Sequence, residues 1–276
     1  MNKRIRIALT SISTLAVIGI AIALYDYYTC TQERFPYHIK KSQSDTLRIA
    51  FIGDSWAFMH REYDAATSQY LSQSLNRPVR LMSFGICGLT SSEIYENIFE
   101  NDLLKDFLSI GHDYCILSAG INDTYKKMSP TYYSKSIEHL IYFFLYNDIS
   151  PIIIEIPDYD IYKAYERQRT SRKIIRQISM LINGLPIDCK KIYRDELYDL
   201  ISSYRYRGKI KIIPYKLWNS NYASDQKLYY RSDGIHLNRK GYERLFECLP
   251  EVLQTNTYPI PVKQMSHHNI MAPASK

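Results

Sequence analysis

Five short apolar runs, separated by longer segments with helical spacing, constrain this chain more than any other feature. The runs lie at Leu47–Ile52, Pro78–Phe84, Asp113–Ala119, Ser150–Ile156 and Lys209–Pro214. Helix-like segments stand between them at about 57–76, 90–108, 131–147, 162–183 and 192–206, and another follows at 239–253. A short continuous apolar run reads as a strand buried on both faces. Strict alternation with helices implies right-handed crossovers and a parallel sheet covered on both sides. The carboxyl ends of such strands share one edge, and ligands bind in the crevice beyond it.

Just past the runs, the sequence places Gly53-Asp54-Ser55 after the first, Cys87-Gly88-Leu89-Thr90 after the second and Gly120-Ile121-Asn122-Asp123 after the third. Asp233-Gly234-Ile235-His236 stands ahead of the last helical segment. Each piece alone has an ordinary reading: Asp or Ser before a helix is an N-cap, a glycine after a strand is turn chemistry, and a single histidine is a structural hydrogen-bonding residue. Together and in this order they resemble the SGNH/GDSL hydrolase superfamily over residues 47 to about 247, with Trp56 where the family's name has leucine. The resemblance implies an α/β fold, a flavodoxin-like three-layer α/β/α sandwich with a five-stranded parallel sheet. It also implies hydrolysis or transfer of ester-linked acyl groups, with no metal and no cofactor.

Residue types point the same way. A serine hydroxyl is a poor nucleophile until a base takes its proton. Of seven histidines, His38, His267 and His268 lie outside the body of the chain, and His112 and His139 lie away from the strand ends. His60, one helical turn beyond Ser55, is a weaker candidate than His236. Asp233 precedes His236 by three residues and can fold back across a turn eased by Gly234 to hold the imidazole. Ser55, His236 and Asp233 are therefore the expected triad. The expected oxyanion donors are the backbone N–H groups of Ser55 and Gly88 and the side-chain amide of Asn122, with Asp54 and Asp123 fixing the loops.

The ends of the chain carry different expectations. Lys3, Arg4 and Arg6 precede an uncharged apolar segment, Ile7 to Leu24, at the short end of spanning length. It reads as a membrane anchor (1–24) with the catalytic domain outside the cytoplasm, or as a cleavable signal with Ala21-Ile22-Ala23 as the cleavage site. Residues 25–45 read as a tether, 46–253 as one hydrolase domain and 254–276 as a loose tail. Five cysteines without C-x-x-C spacing give no zinc framework, and their odd number leaves a thiol unpaired.

Residues 160–216 contain 14 Lys and Arg against 6 Asp and Glu, a difference of +8, beside +7 for the whole chain. Arg169, Arg172 and Arg176, spaced for one helix face, read as a cationic stripe near the site, with Ile174, Ile175, Ile178 and Leu181 turned to the sheet. A stripe of this kind either holds an anionic substrate or is solvated surface. Trp56 is a further candidate substrate contact. The function expected from these features is a serine esterase that removes short acyl groups, acetyl first, from a cell-envelope or extracellular glycan. Alternatives are an O-acetyltransferase with the same triad, a lipid acyl hydrolase and, from a different class, a silent glycan-binding module. Export excludes nucleic acid as a partner.

Overall fold

The computed structural model describes residues 12–23, 25, 33–41, 44–203, 205–206 and 208–255. A helical segment, α1, occupies 12–23. The membrane anchor expected at Ile7–Leu24 is overturned: among the described residues no helix is long and apolar enough to cross a membrane. Residues 7–11 and 24 of the expected span lie outside the described residues. The membrane partner and the membrane-anchored location are withdrawn with it. Most of the expected tail, 256–276, also lies outside the described residues. Part of the segment read as a tether lies against the body: Ile39 N donates to Asn147 Oδ1, and the Tyr37 ring meets Phe99 and Phe143 edge-on.

Five strands form the sheet: β1 (Leu47–Gly53), β2 (Val79–Gly85), β3 (Tyr114–Ser118), β4 (Ser150–Ile154) and β5 (Lys211–Ile213). Their order is β2-β1-β3-β4-β5 and every pairing is parallel. This is the three-layer α/β/α sandwich that the alternation of patterns implies. Residues 49–52 of β1, Ile-Ala-Phe-Ile, are all essentially unexposed, as a strand covered on both faces requires. The order reverses between β1 and β3, so the crevice beyond these two strands is where a ligand site belongs.

Between β1 and β2 come α2 (Ser55–His60), a 3-10 turn (Arg61–Tyr63) and α3 (Asp64–Ser74). Before β3 come α4 (Ser91–Glu100) and α5 (Asp102–Ser109); α6 (Ile121–Lys126) and α7 (Pro130–Tyr146) follow it. β4 leads into α8 (Ile161–Glu166), α9 (Thr170–Asn183) and α10 (Lys190–Ser202). After β5 stand α11 (Tyr215–Trp218), α12 (Tyr222–Tyr229), α13 (Arg239–Glu247) and α14 (Leu249–Gln254).

Several segments that read as single helices are broken in two, each for a local reason. Asn101 ends α4 and caps α5, accepting from Leu104 N at 3.2 Å. Pro250 sits in the first turn of α14, where a missing N–H does no harm.

The layer that positions the site is held by close backbone approach. Gly53 and Gly85 are register partners at the ends of β1 and β2. A Cβ on Gly53 would fall inside contact distance of the Ser118 carbonyl, and one on Gly85 against the backbone of Asp54, Ala57 and Phe58. Only glycine lets β2 end directly under α2.

Candidate active site

Asp54 joins the ends of β1 and β3. It caps α2, Oδ1 accepting from Trp56 N at 3.0 Å and from Ser118 Oγ at 3.2 Å, while Oδ2 accepts from Asn122 Nδ2 at 3.0 Å. Burial pushes its carboxyl up to about 6, although the Trp56 N–H, the nearby His236 and the Ser118 hydroxyl pull the other way. Ser55, the next residue, opens α2 and is only 9% exposed.

The loop from Arg231 to Asn238 closes on itself before it reaches Ser55. Gly234 N donates to Arg231 O at 2.9 Å and Arg231 N donates to His236 O at 2.7 Å. Asp233 Oδ1 accepts from the backbone N–H of Ile235 at 2.8 Å and of His236 at 2.9 Å, an Asx turn of the kind Asp favours. Tyr222 Oη donates to Gly234 O at 2.6 Å and accepts from Asp160 N at 3.0 Å, tying the loop to the end of β4. The turn leaves the second oxygen, Oδ2, 2.7 Å from His236 Nδ1. His236 Nε2 lies 2.8 Å from Ser55 Oγ.

A carboxylate only accepts, so Nδ1 carries the proton and Nε2 is free to accept from the serine hydroxyl. Burial pushes the Asp233 carboxyl up, but the bonds from the His236 ring and the two backbone N–H groups outweigh it and hold the group below its ordinary value. It therefore stays ionised beside the imidazole.

Gly88 lies on the loop after β2, and Asn122 in the first turn of α6 after β3. Gly88 is exposed and has φ +83°, with nothing within 4 Å of where a Cβ would be. The left-handed backbone there favours glycine, and no protein atom approaches the place of a Cβ. Asn122 is half-buried and spends one of its two amide hydrogens on Asp54, leaving the other. Asp123 is fully buried and ties the first turn of α6 to the start of α4, accepting from Ser91 N at 2.9 Å and Ser91 Oγ at 2.6 Å. Burial pushes its carboxyl up to about 6 against those bonds from Ser91. Thr90 and Glu93 form a capping box at the same place. Sequence reading missed Ser91 and Ser118. Ser91 follows a legible Thr90-x-x-Glu93 signature, whereas nothing local marks Ser118, whose partner is 64 residues away.

The chain matches the model of the GDSL-like Lipase/Acylhydrolase family over residues 51–244, more than half its length. It belongs to that family. The GDSL-like hydrolase is accordingly a serine-type hydrolase acting on ester bonds. Among solved structures it is similar to a GDSL-like lipase from Bacteroides thetaiotaomicron, with a TM-score of 0.50 and 15% identity, covering 74% of this chain and 86% of that one. It is also similar to an alpha/beta hydrolase enzyme from the metagenome of Lake Arreo, with a TM-score of 0.50 and 18% identity, covering 78% and 99%. At these identities the likeness concerns the fold. No curated protein matches the sequence.

Two of the four expected substrate contacts, Trp56 and Arg176, need revision. Trp56 is wholly buried, its ring 5.7 Å from that of Trp218 and its carbonyl accepting from Tyr242 Oη at 2.9 Å. It is a core residue beneath α2 and offers no face to a substrate. Arg176 is 4% exposed, its guanidinium 3.7 Å from the Tyr125 ring centroid and 5.3 Å from that of Tyr165. Arg169 and Arg172 remain exposed, so no stripe of three exists.

The apolar face of α9 is turned outward instead, with Ile174, Ile175, Ile178 and Leu181 exposed. The reason is the partner: α9 lies over tyrosine rings, which attract a guanidinium to their faces. His60, the other candidate histidine, is fully buried between Asp64, Ser83 and Thr67 and stands apart from Ser55.

Proposed function

We propose that Ser55 is the nucleophile, His236 the general base and Asp233 the residue that orients it, in the removal of short acyl groups from a glycan. The relay carries this reading: Ser55 Oγ at 2.8 Å from His236 Nε2, and His236 Nδ1 at 2.7 Å from Asp233 Oδ2. Ser55 Oγ attacks the ester carbonyl as its proton passes to Nε2. The oxyanion is received by the N–H groups of Ser55 and Gly88 and the free hydrogen of the Asn122 amide. Each such donor contributes about 2.7 to 4 kcal/mol to lowering the barrier. The imidazolium protonates the leaving alkoxide, and water deacylates Ser55 by the same route in reverse.

The small acyl group and large alcohol are supported by the surroundings of Ser55. The serine is nearly covered, so a slim acyl group reaches it most readily. Beside α2 an open groove of about 370 Å³, lined by Phe58, Met59, Arg61, Glu62 and Arg231, has room for a bulky alcohol portion such as a sugar. Arg231 belongs to the loop that carries His236.

The test is mass spectrometry after incubation with acetylated polysaccharides. Free acetate with deacetylated glycan, and a transient acetyl on Ser55, is the expected result. Acetyl moved to a second glycan would replace hydrolysis with transfer, and hydrolysis surviving in Ser55→Ala would overturn the nucleophile.

A further inference from the structure

A side-chain amide has two ends of nearly equal shape, an N–H end that donates and a carbonyl that only accepts, and turning the amide over exchanges them. The stem of Asn122 is held in the first turn of α6, between the buried Ile121 and Asp123, which is bound to Ser91. Its amide keeps that one freedom. Which end meets the charge on a reacting carbonyl therefore depends on what stands against the amide, and that is Asp54.

Asp54 is fully buried, and its two oxygens have separate tasks. Oδ1 accepts from Trp56 N at 3.0 Å and from Ser118 Oγ at 3.2 Å, while Oδ2 accepts from Asn122 Nδ2 at 3.0 Å. An ionised carboxylate only accepts, so the amide must turn its nitrogen toward it. One hydrogen serves that bond, and the second stays on the same nitrogen for an oxyanion. A reversed amide would set oxygen against oxygen out of water and offer the oxyanion a carbonyl.

We propose that Asp54 is a positioning residue for the ester reaction, its ionised carboxylate fixing the Asn122 amide in the orientation that donates to the oxyanion. This rests on the oxyanion role given to Asn122 above.

Protonation reverses the setting. A neutral Asp54 has a hydroxyl to donate, which matches the amide carbonyl, so the inverted amide becomes the better partner. Burial pushes this carboxyl up to about 6, so the ionised form prevails at neutral pH and is lost below that value. His236 faces Asp54 from the catalytic loop, Cys87 from the loop after β2 and Tyr242 from α13. Burial pushes the Cys87 thiol and the Tyr242 hydroxyl up, so both stay neutral across this window.

Asp54→Asn makes the same reversal permanent. The Trp56 N–H cannot turn, so it keeps the new side chain's oxygen toward itself, and the new amide nitrogen takes the place of Oδ2. Two donors then oppose each other until Asn122 turns its carbonyl inward.

The experiment is a double-mutant cycle on the full chain with an activated acetyl ester, comparing Asp54→Asn, Asn122→Ala and the pair. Asn122→Ala should lower kcat about 10²- to 10³-fold with little change in KM, as loss of one oxyanion donor does. Asp54→Asn should lose about as much although it keeps the helix cap, and the pair should be no worse than Asn122→Ala alone. A role confined to capping α2 gives instead the same loss from Asp54→Asn in both backgrounds, and that result overturns the proposal. The kcat ratio of parent to Asn122→Ala should also shrink as pH falls through about 6. Both proteins keep His236, so its own contribution cancels, and this arm needs no Asp54 variant and decides the matter if Asp54→Asn misfolds. A ratio constant from about pH 5 to 8 would overturn the proposal. Parental turnover in Asn122→Ala is a separate result, which removes the oxyanion role and the proposal with it.

Discussion

At the carboxyl edge of the sheet, Asp54, Asp123 and Asp233 each accept two or more hydrogen bonds from fixed neighbours. In α9, by contrast, a buried guanidinium nitrogen of Arg176 has no hydrogen-bond partner, and isoleucines face solvent. Both regions hold charge out of water. The first does so inside closed networks of short loops, so geometry follows from turn chemistry. The second does so because two tyrosine rings lie opposite one helix face, a fact of tertiary context. Closed polar networks specify a single arrangement, whereas an amphipathic pattern specifies two faces without saying which is covered.

The largest effect that would break this contrast lies at Ser55. Ser55→Ala and His236→Ala should each lower kcat for an activated acetyl ester on the order of 10⁴-fold or more, with an unchanged circular dichroism spectrum. The double variant should be little worse than either single one, because the pair acts as a unit. Additive losses would mean that the two residues do not share one step.

Next comes packing. Ile137→Ala in α7, at a wholly buried position, should destabilise by about 2 to 5 kcal/mol in urea unfolding. Ile178→Ser and Leu181→Ser on the outer face of α9 should stay within about 0.5 kcal/mol. A large loss at Leu181 would place the apolar face of α9 against something after all.

The network itself predicts a pH dependence. Burial raises Asp54 from 3.8 to about 6, so between these values the folded chain holds a proton that the unfolded chain has released. Stability therefore falls as pH rises through that window, by an amount on the order of 3 kcal/mol. Asp123 behaves alike, also at about 6. Asp233 has the opposite sign: its stabilisation is present above the unfolded value and is lost as pH falls through the depressed folded value. Unfolding free energies at pH 4.5 and 7 should differ less in Asp54→Asn than in the parent, whatever its absolute stability. An identical difference would show that Asp54 is not the titrating group.

The smallest effect is expected at Arg169 and Arg172. Both are exposed, and changing them to Gln should alter stability by no more than about 0.5 kcal/mol and leave turnover of a small neutral ester unchanged. A substantial loss of turnover would return α9 to the reaction.

What was legible in the sequence divides along the same line. Gly53-Asp54-Ser55 and Asp233-x-x-His236 could be read because their geometry is set within a few residues by glycine, an Asx turn and a helix start. The sheet could be read because each strand carries its burial in its own composition. The burial of Trp56 could not, since it rests on Trp218 and Tyr242, residues 162 and 186 positions further along. The inversion of α9 was hidden for the same reason: local spacing grouped Ile174, Ile175, Ile178 and Leu181 correctly but put them on the covered side, and it joined the buried Arg176 to two arginines that stay exposed. The apolar N-terminal segment suggested a span by length and hydropathy, whereas among the described residues no helix is long and apolar enough to cross a membrane.

The glycine rung beneath α2 has a consequence for how this enzyme can change. With Gly53 against the Ser118 carbonyl and Gly85 under the turn that begins at Asp54, the height of Ser55 above the sheet is a peptide-to-peptide dimension. Side-chain replacement in the core has no lever on it. The groove beside α2 has no such restriction, since it is lined by side chains such as Phe58, Arg61 and Arg231. The place of Ser55 and the lining of that groove thus rest on separate parts of the chain: one is a fixed length, and the other stays open to drift.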